Sequence, residues 1–550
     1  MSKNWLVITL LLLLSFPAVR ALFQPGGFTS HDLTHHVVRQ ISMDKLLFEG
    51  QLPPRWSGDL NNGYGYPVFL FNYPLPALVG ELFHKLGLGY VDSVKAVLFT
   101  SMILSVLGMY LFLKELLDSR LGGFLGAIFY LYAPIRFLNV YVSAAVGSAL
   151  ALGILPFVFW SLIEIKKGKK WAIWVGALSL ALLILAHNVT ALIFAPLILA
   201  FVLSLVREVK GLRVVGIMVA LGLGLSAWFW MPAIFEAQYT KFGEVFGQFY
   251  QDQFPTLWQL IRSPWGYGLS HPERPESGDM SYQIGLIHIA VILVYGLWFM
   301  VYGRKKKERI LGMFVLAIFI TSVFLMLKVS LPLWESVTFL SLIQFPLRFQ
   351  AWSVFTASIA AALLVKYLPW KKVIFMTLLV LVIYANRNHW NINQVFDPGE
   401  DYYLNLKTTS TSFGEHLPKW GKVMNKQSPG KLEFVGEIGD MRVFRDKSHQ
   451  VLAEVKISTS ANLRFNQFYF PGWQIKVDNQ KVELDYLSEG ESYGLPLFDI
   501  EEGEHQVLAE FKNTPVRNLA DLISVISVIL WMGLICKLLM PNLFQVKKSS

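Results

Sequence analysis

The sequence predicts an all-α polytopic membrane bundle of about twelve transmembrane helices, with an extracytoplasmic antiparallel β-sandwich inserted before the last of them. Three observations carry this. Hydrophobic residues make up 54% of the 550 and charged residues only 16%, with a mean hydropathy of +0.47. A soluble chain carries about 25% charged residues and has no core large enough to hide so much apolar surface. Lysine and arginine fall on alternate connections between the apolar runs. The stretch 387–516 drops the helical pattern and alternates in short β-rich segments. The formal net charge of +10 belongs to cytoplasmic loops, so no nucleic-acid partner is expected. The single cysteine, Cys536, excludes an intrachain disulfide and a cysteine-based metal cluster. A soluble enzyme, a zinc finger and a disulfide-stapled secreted module are excluded together.

The apolar runs lie at about 5–22, 94–113, 121–135, 147–164, 171–186, 189–206, 214–231, 283–302, 310–328, 349–366, 372–386 and 518–540. The first lacks a clean small-x-small cleavage site in Ser15-Phe16-Pro17-Ala18-Val19-Arg20-Ala21, so an uncleaved span is expected. One side of the bundle then holds Lys3, Lys114, Arg120, Lys166 to Lys170, Arg207, Lys210, Arg213, Arg304 to Arg309, Lys366, Lys371, Lys372, Lys547 and Lys548. The positive-inside rule makes that side the cytoplasm of a multi-pass protein of the cytoplasmic membrane, with both termini inside. The segment 66–88 is broken by Pro67, Pro74 and Pro76, and crossing there would put the basic loops outside. It is read as a re-entrant or interfacial element.

The chain thus divides into three parts: a transmembrane domain over 1–386, an external linker and sandwich over 387–516, and a last span with its tail over 517–550. The transmembrane domain carries a first external loop, 23–93, and a middle one, 235–282. Strands are expected at 432–437, 441–445, 451–458, 463–470, 474–478, 482–486 and 505–512, with turns at Pro471-Gly472 and Glu502-Gly503. Phe465, Phe468, Phe470, Trp473, Ile475 and Val477 supply the sandwich core. The region 397–420 is expected to run extended over the membrane face. It, rather than the sandwich, should approach the first loop, with Thr408, Thr409, Glu415 and His416 over the cleft.

Chemistry-bearing residues collect in the outer loops. Ser30 is a plausible N-cap for a short helix on which Asp32, His35, His36 and Arg39 share one face. Trp56, Asp59, Tyr64 and Tyr66 follow among glycines and prolines, a mixture suited to sugars, because aromatic faces stack on them while carboxylates bind their hydroxyls. Such residues also suit a plain surface turn. Outer span ends add His187 and Glu236, the middle loop adds Trp265, and Arg348 stands where the chain returns to the membrane. A guanidinium there can bind phosphate as a fork or lie among lipid headgroups. Carboxylate, imidazole and guanidinium at one membrane level point to transfer involving a lipid-linked phosphate.

Asp32 with His36, Leu52-Pro53-Pro54-Arg55-Trp56, Gly63-Tyr64-Gly65-Tyr66-Pro67, His187-Asn188-Val189-Thr190-Ala191, Ser263-Pro264-Trp265-Gly266 and Gln344-Phe345-Pro346-Leu347-Arg348-Phe349 form a series. With Glu415-His416-Leu417-Pro418 and Tyr469-Phe470-Pro471-Gly472-Trp473, it resembles a family of prokaryotic polytopic membrane proteins labelled 6-pyruvoyl-tetrahydropterin synthase-related. No zinc-binding histidine cluster of a pterin synthase accompanies these motifs. The family is similar to the GT-C superfamily of glycosyltransferases, whose first external loop carries an acidic residue as base or acceptor-binding group. Asp32 corresponds to it.

The resemblance implies a glycosyltransferase that moves a sugar from a polyprenyl-phosphate donor to an extracytoplasmic glycan, lipid or protein. Asp32, His36 and Asp59 would be catalytic, and Arg348, His187 and Arg136 would bind donor phosphate. Glu236, Trp56, Tyr64, Tyr66, Trp265 and Glu415 would bind acceptor or sugar. One motif departs from the family pattern: Ser143 and Ser148 replace an arginine and a glutamate, whereas Arg136 and Tyr141 are kept. A non-catalytic scaffold or glycan-binding protein is the rival reading, and a flippase a third, disfavoured because the span centres are almost bare of charge. No cofactor is implied with certainty. Asp32 and His36 have a spacing that suits magnesium or manganese, but two ligands are too few for a site.

Overall fold

Each of the twelve apolar runs forms a helix, or a bent pair of helices, in the computed structural model, which describes residues 3–205, 209–303, 306–436, 439–488, 490 and 492–539. Arg207, Arg304, Lys305, Lys547 and Lys548 lie outside the described residues. Among the described residues, six helices are long and apolar enough to cross a membrane, including Tyr90–Leu117, Val146–Lys166 and Pro346–Tyr367. The number reaches eight if each of two bent pairs counts as one span. Twelve crossings are therefore not reached: Trp171–Ala186, Asn188–Ser204 and Leu286–Tyr302 are apolar but short. The protein is a multi-pass membrane protein.

Small residues set the closest packing. Helix Arg120–Leu131 lies against helix Gln350–Tyr367 through Gly122 and Gly126. A Cβ at these positions would fall 2.9 Å from the Ala362 carbonyl oxygen and 2.8 Å from that of Ser358. Small residues four apart let two backbones approach this way where no hydrophobic effect drives helices together. One bent pair breaks at Ala133-Pro134, where proline cannot continue the hydrogen-bond ladder, and turns the chain by 49°. Beyond the break, Leu138–Val142 forms one wide π-helical turn. The second pair, Gly211–Leu225 and Ala227–Phe235, bends by 72°. The segment after Pro67 forms two short helices, Val68–Phe71 and Leu75–Lys85, rather than a span.

The β-rich part of the chain, between Leu432 and Phe511, has two antiparallel sheets. One orders its strands Asp440–Lys447, Gln450–Ile457, Gly503–Phe511, Trp473–Val477 and Gln480–Lys481. The other orders Leu432–Val435, Ala461–Phe465 and Leu497–Ile500. Inward residues of both, including Val455, Ile475, Val507, Phe465 and Phe498, share one core, which makes this a sandwich. Two expectations fail locally. Tyr486 and its neighbours make only a bridge at Asp485, and Leu497–Ile500 is the strand that pairs instead. Phe468 lies outside the sandwich core, packed with Tyr64 and Leu495.

The linker is not uniformly extended. It starts with a strand pair, Gly27–Phe28 against Val395–Phe396, and includes helix Glu400–Asn405. It then lies on the first loop, where Asn61 and Asn62 donate their backbone N–H groups to the carbonyls of Thr408 and Lys407. The sandwich also meets that loop: Trp56 is fully buried in the sandwich core, beside Leu70 and Phe71. Linker and sandwich thus share the first loop between them.

Candidate active site

A cavity of about 740 Å³ opens between the first loop, the break after Pro134, the start of helix Asn188–Leu205, the middle loop and the linker. That volume suits a ligand of drug or disaccharide size. Asp32, His36, His187, Arg348 and Glu415 all line it.

Local chemistry explains how each arrives. Asp32, not Ser30, is the N-cap residue of helix Leu33–Phe48, but its carboxylate makes no capping bond, and Ser30 Oγ accepts the Leu33 N–H at 3.2 Å instead. The wide turn at Leu138–Val142 offsets its carbonyls toward the first loop, and Val142 and Ser143 accept the backbone N–H groups of His31 and Asp32 at 3.1 and 3.0 Å. His31 Nε2 bonds the Gly268 carbonyl of the middle loop at 2.8 Å. Asp32 is thereby fixed by its backbone, with its carboxylate left for the cavity.

Electrostatics separates the groups. Burial raises the Asp32 carboxyl above its ordinary 3.8, and Glu415 adds to this, against opposition from His35, Arg39 and His31. Burial also pushes His36 well below the usual imidazole range, with Arg39 acting in the same direction. His416 drops to about 4 through burial. Both rings are therefore neutral near pH 7.

His187 and Arg348 complete the polar lining. His187 Nδ1 accepts the Thr190 N–H at 3.0 Å, so in the neutral ring the proton sits on Nε2. Ser148 Oγ lies 3.4 Å from that nitrogen. Arg348 donates Nη1 to the Ile343 carbonyl at 2.7 Å, and its guanidinium lies 5.2 Å from the Phe345 ring centre. That contact aims the fork and leaves Nε and Nη2 without a protein acceptor among the described residues.

Other expected site residues are held elsewhere. Asp59 pairs with Lys45 at 2.5 Å. Arg136 is buried and donates to the carbonyls of Ala149 and Ser101, each at 3.2 Å. Glu236 is buried against Arg517 at 2.8 Å and accepts from Thr514 at 2.5 Å. Trp265 stacks on His389 at 4.2 Å. Tyr64 packs on Phe468, and the Tyr66 hydroxyl bonds Thr411 at 2.9 Å. Trp56 donates Nε1 to Gln467 at 2.8 Å inside the core. None of these lines the cavity. Trp56→Ala should accordingly cost about 3–5 kcal/mol of stability, read as a lower unfolding temperature.

Several lining residues escaped the sequence reading as site members. Arg39 gives Nε to the Ser410 carbonyl at 3.0 Å and Nη1 to Asn72 at 3.3 Å, tying the helix of Asp32 to the linker of Glu415. Its place on the face of Asp32 and His36 was the available signal. Asn72, Tyr73 and Gln344 carry no local signal. His271 also lines the cavity, and its ring stands with Glu276 and Asp279 so that one ligand atom of each lies within 4.8 Å of the others.

No family model matches the chain. The pterin-synthase-related label thus finds no support there. An uncharacterised protein of Lactococcus lactis subsp. cremoris is 25% identical over 281 residues, which cover 46% of this chain and 45% of that protein. Among solved structures, the chain is similar to the arabinofuranosyltransferase AftD from Mycobacteria, with a TM-score of 0.44, 14% identity, and coverage of 70% of this chain and 26% of that one. It is likewise similar to the Archaeoglobus fulgidus oligosaccharyltransferase in its apo form, at 0.45 and 14%, covering 76% and 61%. ArnT from Cupriavidus metallidurans in its apo state is similar at 0.35 and 15%, covering 67% of this chain and 60% of that one.

Proposed function

We propose that the protein is an integral-membrane glycosyltransferase that moves a sugar from a polyprenyl-phosphate donor to an acceptor hydroxyl on the extracytoplasmic face. The observation that supports it is one cavity holding a carboxylate of raised pKa, Asp32, together with Arg348 and the Nε2–H of His187. Asp32 takes the proton of the acceptor hydroxyl as that oxygen forms its bond to the anomeric carbon. The bond from the anomeric carbon to phosphate breaks, and its electron pair stays on the phosphate oxygen. Arg348 and His187 donate hydrogen bonds to that growing charge, in a setting where fixed donors act more strongly than water does. His36, neutral beside Asp32, orients the acceptor, and Glu415 binds sugar hydroxyls from the linker.

Arg348→Ala is expected to lower turnover about 10²–10³-fold, the usual loss for one fixed donor at a charge-developing oxygen. Arg348→Lys should fall in between, because it keeps the charge and loses the fork. The test of the function is transfer itself. Purified protein in lipid nanodiscs is given tagged polyprenyl-phosphate sugars and cell-envelope acceptors, and the tag is followed by chromatography. Movement to an acceptor with release of polyprenyl phosphate is the expected result, and intact donor throughout would refute it.

A non-catalytic glycan-binding protein is the second reading. Ser143 and Ser148, both on the cavity wall, favour it, because their hydroxyls can bond a glycan but bring no charge to a phosphate. Donor binding without turnover would select it.

A further inference from the structure

Outside the cavity, Trp420, Tyr469 and Tyr486 form a cluster that belongs to none of the described apolar cores. Each keeps part of its surface exposed. The Tyr469 and Tyr486 rings lie parallel, with centres 3.8 Å apart and planes 6° apart. Trp420 stands 5.3 and 5.1 Å from them at 63° and 69°, which makes an angled ledge. Lys419 Nζ lies 4.6 Å from the Trp420 ring centre.

Gly494 assembles this ledge from three separate segments. Its N–H donates to the Tyr486 carbonyl and its own carbonyl accepts the Tyr469 N–H, both at 2.8 Å. At φ +82° a Cβ there would sit 2.3 Å from the Trp420 carbonyl oxygen, so only glycine fits. The same Cβ would meet the buried Phe468 ring at 3.0 Å, so the glycine seats the ledge on the Tyr64, Phe468 and Leu495 cluster while the three rings keep part of their surface toward solvent.

Position ties the ledge to the cavity. His416 lines the cavity, and four residues later comes Trp420, at most roughly 14 Å along an extended chain. The path is pinned to the middle loop: Lys241 and Lys419 donate their N–H groups to the carbonyls of Leu417 and Tyr239. We propose that the ledge is a glycan-binding subsite that stacks the C–H faces of a neutral oligosaccharide on Trp420 and the tyrosine pair, with the end of that chain reaching the cavity as acceptor. The second half of this statement rests on the glycosyl-transfer reading, whereas the binding itself does not. A bilayer surface fits less well, because exposed Glu483 and Asp485 flank Tyr486 and repel anionic headgroups.

The test uses the full chain in nanodiscs and an array of neutral oligosaccharides of glucose, mannose, galactose, arabinose and N-acetylglucosamine. Wild type should bind at least one series. Trp420→Ala and Tyr486→Ala should each weaken that binding about tenfold, and Trp420→Phe only about threefold. Unchanged unfolding temperatures would exclude misfolding, and should Trp420→Ala unfold, Trp420→Phe and Tyr486→Ala carry the comparison. No binding by wild type, or equal binding by folded variants, overturns the subsite. A fluorophore at Ser488→Cys in a Cys536→Ser background gives the lipid outcome: quenching by headgroup spin-labelled lipid would hand the ledge to the bilayer and overturn the proposal. Binding without transfer to any acceptor leaves the subsite standing and removes the transfer reading. Transfer without oligosaccharide binding does the reverse.

Discussion

Asp32→Asn is expected to lower turnover by about 10²–10⁴-fold while the protein still folds and inserts, because it removes the proton acceptor and keeps the shape. Stability should move the other way. Burial raises the folded-state pKa of Asp32 above its ordinary 3.8, so ionising it works against folding. The stability associated with the protonated form is fully present below the unfolded value and is lost as pH rises through the raised one. Asparagine has no such loss, and the variant should unfold at the same or a higher temperature near pH 7. Activity has the opposite dependence, since the base must be ionised. The acid limb of the kcat/KM profile should therefore lie above pH 3.8, and the residual activity of the variant should lack that limb. An acid limb retained in the asparagine variant would assign it to another group.

Glu236→Ala should be the most destabilising single change outside the cores, at about 3–5 kcal/mol. Arg517, wholly buried at the start of the last helix, gives Nε and Nη2 to the Glu236 carboxylate at 2.9 and 2.8 Å. Alanine leaves that guanidinium enclosed without its carboxylate partner, with only the Lys512 and Pro471 carbonyls to accept from it. The fall should appear as a lower unfolding temperature by fluorescence-detected size exclusion. Glu236→Leu with Arg517→Met should recover much of the loss, because a buried pair replaced by apolar volume is often neutral or better. A single variant as stable as wild type would show that the pair carries nothing.

Helix positions were legible because each apolar run is a local signal, whereas the N-cap expected at Ser30 falls two residues later, at Asp32. What a side chain does after folding was legible only in part. The shared outer face grouped Asp32, His187 and Arg348, which line one cavity, but it grouped Asp59 and Glu236 with them, and these are held by Lys45 and Arg517 instead. Trp56 was read as a sugar platform because its neighbours are loop residues, but its partner Gln467 is 411 positions away and sits in a sandwich. Arg136 was read as a phosphate ligand. Its true acceptors are main-chain carbonyls at Ser101 and Ala149, which no side-chain pattern reveals. The strand Leu497–Ile500 was hidden because its four residues include the exposed Asp499 and follow Pro496, leaving too short an alternation to read.

The most direct measurement is a structure of the protein with a non-hydrolysable phosphonate analogue of a polyprenyl-phosphate sugar. The phosphonate oxygens should lie within hydrogen-bond distance of the Arg348 guanidinium and of His187 Nε2, with the anomeric carbon between them and the Asp32 carboxylate. A phosphonate bound away from Arg348, or an anomeric carbon turned from Asp32 so that no acceptor hydroxyl fits between them, would contradict the account.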